Sequence, residues 1–75
     1  RRRLDEAVGR LPDTLKTVFL LRDIDDLSTA ETAEVLNLTE TAVKTRLSRA
    51  RLRLREDLSV YYAEKMERNK DDARP

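Results

Sequence analysis

The sequence predicts an all-α fold, a bundle of four to five helices, on three observations. Charged residues make up 41% of the 75 residues and aromatics only 4%, which suits helices with charged outer faces and argues against a β-sandwich. One Gly and two Pro leave few places for tight turns. Apolar residues recur at helical spacing over most of the length. A chain this short is one domain and buries only about 60% of its unfolded surface, so its core must be small.

Arg3 to Arg10 reads as the first helix, with Leu4, Ala7, Val8 and Leu11 at i, i+3, i+4 and i+7. Gly9 weakens its end. Pro12 suits the first turn of the next helix, where its missing N–H has no intrahelical partner to lose. Leu15, Val18, Phe19 and the aliphatic stem of Arg22 mark one face of that second helix, and Leu20, Leu21 and Ile24 widen it. So apolar a helix is expected at the centre of the bundle. Asp23, Asp25 and Asp26 end it, since Asp competes for backbone hydrogen bonds and favours turns. Without further spaced ligands these acids read as a solvated loop rather than a cation site.

Ser28 is a good N-cap, and Glu31 three residues on completes a Ser-x-x-Glu capping box. The helix it opens runs through Ala30, Ala33 and Leu36 and stops at Asn37, a residue that tolerates the left-handed conformation. Leu38 follows, and Thr39 caps a new helix. Two helices separated by so short a turn must cross steeply, as in a helix-turn-helix. Ala33 lets them approach, and Leu36, Leu38, Val43 and Leu47 would fill the angle between them. The motif is predicted over Ser28 to Leu36, a turn, and Thr39 to about Leu58. In the last helix Val43, Leu47, Ala50, Leu54 and Leu58 form an unbroken apolar stripe. The segment Tyr61 to Met66 either continues the helix or folds back. Residues 1–67 are expected to form the domain and 68–75 a disordered tail.

The net charge of +1 conceals a division along the chain. Residues 12–38 carry a net −4, whereas residues 39–55 hold Lys44 and five arginines against Glu40 alone, a net +5. Positive charge gathered into one helix is the electrostatic footprint of a polyanion site. Placing residues every 100° puts Thr41, Lys44, Thr45, Ser48 and Arg49 opposite the apolar stripe, with Arg55 one turn beyond. Hydroxyls and small residues let such a helix sink between phosphate walls, while Arg and Lys read guanine edges or pin phosphates. A solvated surface helix would mix in Glu at i+4 spacing, yet no acid lies between Thr41 and Arg55. Leu52 breaks the pattern at the middle of this face. It covers a partner, meets a thymine methyl, or is an exposed Leu of the ordinary kind.

Other classes are disfavoured. No Cys and no His removes the disulfide framework, the thiolate metal site and the commonest acid/base group. With no Gly-rich phosphate loop and no paired carboxylate in a predicted cleft either, neither an enzyme nor a cofactor or metal is expected. The longest apolar run is Val18 to Leu21, far short of a bilayer span, and no apolar segment follows Arg1, Arg2 and Arg3 as a signal peptide requires. A cytoplasmic protein fits. The chain begins without Met inside a helix-like pattern, and so reads as a piece of something longer.

From Leu11 to Leu58 the sequence resembles region 4 of the extracytoplasmic-function (group IV) RNA polymerase sigma factors of the sigma-70 family. The resemblance rests on Leu11-Pro12, Val18-Phe19-Leu20-Leu21-Arg22, Leu27-Ser28, Thr32-Ala33-Glu34-Val35-Leu36 and Ala42-Val43-Lys44-Thr45-Arg46-Leu47-Ser48-Arg49-Ala50-Arg51, about two-thirds of the chain. The Lys44 to Arg51 run is its most specific part. The family often has Gly where Asp26 and Asn37 stand. The resemblance implies a bacterial domain that holds the −35 element of a promoter while RNA polymerase core performs the chemistry. Lys44, Thr45, Arg46, Ser48 and Arg49 would then face DNA, with Arg22 and Ser28 near phosphates. The helical wheel sets Arg46 at the flank of that face, and Thr39, Thr41 and Arg55 join the DNA-facing set. A second surface on the first helices, using apolar residues around Leu15 and Phe19 that are not used internally, would dock on the β flap of the polymerase. Leu52 is a separate candidate for a partner contact, and an anti-sigma factor would cover both surfaces.

Two rival readings share this architecture. The effector domain of a response regulator has the same layout, but generally carries His where Arg46 stands. A sigma-like module that only binds an anti-sigma factor has little reason to keep five Arg and Lys44 on one helix.

Overall fold

The computed structural model describes residues 2–72, with side chains described as far as Ser59. In chain order come α1 (Arg2–Gly9), α2 (Asp13–Phe19), a π-helical turn (Leu20–Ile24), α3 (Thr29–Leu36) and α4 (Glu40–Asp72), with no strand among the described residues. The predicted all-α bundle is therefore the observed one.

The local signals for α3 and α4 act as expected. The Ser28 Oγ accepts from the Glu31 N–H at 3.0 Å, and the Glu31 carboxylate accepts from the Ser28 N–H at 2.7 Å. Two of the orphan donors at the start of α3 are thereby satisfied. At its end Asn37 stands at φ 56°, and the Leu38 N–H donates to the Ala33 carbonyl at 2.9 Å, closing the helix with a left-handed cap. Thr39 then opens α4 by accepting from the Ala42 N–H at 3.0 Å. Asp26 is the other residue with positive φ, at 60°. Asp and Asn visit this region through their short polar side chains.

The core consists of Ala7, Leu11, Leu15, Val18, Phe19, Ala33, Val43, Leu47, Ala50 and Leu54, with Val8, Leu36, Leu38 and Leu58 packed on its edge. The apolar stripe of the last helix is thus the buried face. Thr32, beside Ala33, is also fully buried.

Two expectations need correction. The hub of the bundle is α4 rather than α2, because α1, α2 and α3 all pack extensively against α4. Leu20 and Ile24 do not widen the core but stand 37% and 55% exposed. The Asp25 N–H donates to the Leu20 carbonyl, an i→i+5 bond that puts one extra residue into the turn and swings the side chains after Phe19 off the α2 face. The backbone of α4 is helical to Asp72, so Tyr61 to Met66 continue the helix; 73–75 lie outside the described residues. From Ala63 to Lys70 the chain is mostly strong helix formers with no Gly or Pro, so no local signal ends the helix.

Candidate nucleic-acid interface

The turn between α3 and α4 presents the outer face of α4 to solvent. Burying Val43, Leu47, Ala50 and Leu54 forces the residues half a turn away outward, and Thr41, Lys44, Thr45, Ser48, Arg49 and Arg55 are all exposed. Thr39 is exposed too, though its Oγ already caps the helix. Arg46 is half-buried at the flank, beside Asp13, Thr14 and Thr17 of α2, Leu36 at the end of α3 and Leu38 of the turn. Its stem closes the seam between α2 and the turn.

Arg51 differs from the other cations of α4. Its Nε donates to Asp23 Oδ2 at 2.9 Å and its Nη2 to Asp23 Oδ1 at 2.7 Å, a two-pronged pair tying the π-helical turn to α4. On the far side Arg10 reaches Asp57 Oδ2 from Nε at 3.0 Å and from Nη2 at 2.9 Å. Lys44, Arg46, Arg49, Arg53 and Arg55 make no ion pair with another described residue. Among the described residues the free positive charge of α4 therefore lies on its outward side and flanks.

The hydrogen bonds from Arg51 hold the Asp23 carboxyl below its ordinary value, outweighing the opposing effect of burial. The Glu31 carboxyl is likewise lowered, by its bonds from the backbone and side chain of Ser28. A depressed carboxyl stabilises the fold fully above its unfolded value, and this contribution disappears as pH falls through the folded value. Acidification below about pH 4 should therefore lower the melting temperature of the wild type more steeply than that of Asp23→Asn, until the two curves converge. Thermal melts across a pH series read this out, and parallel curves would assign the Asp23 pair no role in acid unfolding.

Comparison with known proteins agrees with this architecture. Residues 1–54 match the family model described as Sigma-70, region 4. This chain belongs to the sigma-70 region 4 family. It is 42% identical over 55 residues to the ECF RNA polymerase sigma factor SigW of Bacillus subtilis (strain 168), covering 73% of this chain and 29% of that protein. It is 44% identical over 61 residues to the RNA polymerase sigma factor SigV of the same organism, covering 75% of this chain and 37% of that protein. The chain thus spans about a third of the length of the curated relatives it matches. No solved structure gives a significant match. The match to region 4 sets aside the response-regulator reading.

Within this region 4, several expected site residues stand elsewhere than expected. Arg22 turns inward: its Nη1 donates to the Leu27 carbonyl at 2.6 Å, its Nε is buried, and the side chain braces the loop instead of facing outward. Ser28 is exposed, with its Oγ accepting within the capping box. Leu15 and Phe19, expected on a docking surface, are each only 7% exposed and belong to the core. They lie on the α2 face that α4 covers, whereas Leu20 and Ile24 of the following π-helical turn stay at the surface. Leu52 is 46% exposed, near Pro12 and Thr14 at the start of α2 and between Arg49 and Arg53. The sequence reading missed the Asp23–Arg51 and Arg10–Asp57 pairs. Residues 28 and 47 positions apart carry no local signal that they meet.

Proposed function

We propose that this chain is the promoter-binding part of an extracytoplasmic-function sigma factor in a bacterial cytoplasm, and that α4 enters the major groove of the −35 element. The observation that carries this reading is the face of α4 from Thr41 to Arg55. It is exposed, free of acids, and belongs to the second helix of a capped helix-turn-helix in a chain of the region 4 family. Lys44, Thr45, Ser48 and Arg49 reach base edges, while Arg46 and Arg55 meet backbone at the flanks. The chain performs no catalysis itself and works docked on RNA polymerase core. The flap of the β subunit meets apolar residues still at the surface, among them Leu20 and Ile24, and an anti-sigma factor competes for the same surfaces.

Selection of duplexes from a randomised pool tests this directly. The chain should enrich a short shared sequence within a few rounds. A recovered pool with no shared sequence would leave a module that binds protein alone.

A further inference from the structure

Asp23 sits on the π-helical turn, 28 residues from the arginine it holds, and neither partner is taken up in the reading above. The turn is itself braced, by the Asp25 N–H on the Leu20 carbonyl and by Arg22 on the Leu27 carbonyl. Both prongs of the Arg51 guanidinium are occupied at short distance, yet the side chain is 50% exposed, so release would open it to solvent at once. Arg51 lies seven residues after Lys44 and four before Arg55, on the same side of α4 as both. Among the described residues it is the one cation of α4 with an acid partner. Half-exposed ion pairs generally add little to stability. The larger consequence of this pair is therefore where it keeps a charge.

We infer that Asp23 is a positioning residue for DNA recognition: it holds the Arg51 guanidinium off the phosphate backbone and leaves contact to the side chains that face outward from α4. Without it, Arg51 joins Lys44 and Arg55 in one continuous cationic row along the helix. Such a row gains affinity for any duplex, since phosphate contacts carry no sequence information, and so loses selectivity. The inference rests on the DNA-binding reading.

Binding of the 75-residue chain to a short duplex of arbitrary sequence, and to the best sequence from the randomised pool, is titrated at several salt concentrations. The variants are Asp23→Asn, Arg51→Ala and the two combined. Asp23→Asn should steepen the salt dependence by about one unit of log–log slope on both duplexes, the effect of one added phosphate contact, and lower the selected-to-arbitrary affinity ratio. Arg51→Ala should leave the slope as in the wild type, and the double variant should return to it. A merely structural pair would shift the melting temperature and not the slope. An unchanged slope in Asp23→Asn overturns the inference, as does a slope that stays steep in the double variant. A slope flattened by about one unit in Arg51→Ala also overturns it, because Arg51 would already be on a phosphate. That arm decides the matter even where Asp23→Asn proves unfolded. A wild type that binds neither duplex removes the DNA reading itself, and this inference with it.

Discussion

Truncating Leu47 to alanine should destabilise the chain by about 2–5 kcal/mol, the range for removing a buried Leu and leaving a cavity. Leu47 is 6% exposed and lies midway along the buried stripe of α4, flanked by Val43 and Ala50 with no exposure at all. It stands on the helix against which α1, α2 and α3 all pack, so the site cannot collapse without moving the bundle. Small domains have about 5–15 kcal/mol of stability in total, and each kcal/mol moves the melting temperature by roughly 4–8 °C at this size. A thermal melt should therefore show a loss of about eight degrees or more, the product of those two ranges at their lower ends. A shift of only a degree or two would mean that α4 turns a different face to the core, and the outward face assigned to DNA would change with it.

Replacing Arg49 by alanine should lose about 1–3 kcal/mol of affinity for the selected duplex and relax preference at one base position, as expected for a side chain at a base edge. Arg49 is exposed, has no acid partner among the described residues, and sits in the first half of the helix, the part that reaches bases in this motif. Arg55 lies six residues further along, about 9 Å at 1.5 Å per residue, where a straight helix is leaving the groove. Arg55→Ala should instead weaken selected and arbitrary duplexes alike and flatten the salt slope by about one unit. Parallel titrations at several salt concentrations separate the two outcomes. Equal losses on both duplexes for Arg49→Ala would show that this helix does not read bases in the register assigned to it.

Much of this was legible before any coordinates. The Ser28–Glu31 box, the left-handed cap at Asn37 and the Thr39 cap are contacts between a side chain or amide and backbone a few residues away, so residue types at fixed spacing suffice to find them. The stripe from Val43 to Leu54 is the same kind of information, because helical periodicity alone decides which side chains share a face. Together these identify the helix-turn-helix and the outward side of its second helix.

What the sequence could not decide is how faces and charges are shared between elements. Periodicity marked Leu15, Phe19, Leu20 and Ile24 as one apolar group. Only the packing of α2 on α4, and the extra residue in the π-helical turn, assigned the first two to the core and the last two to the surface. Counting charges made the arginines of α4 equivalent. The fold separated them, bringing Asp23 to Arg51 and leaving Arg49 and Arg55 outward, while Arg22 was turned onto the Leu27 carbonyl. Local structure is encoded in near neighbours along the chain, whereas the partner of a charge depends on where distant segments are carried by the burial of a common core.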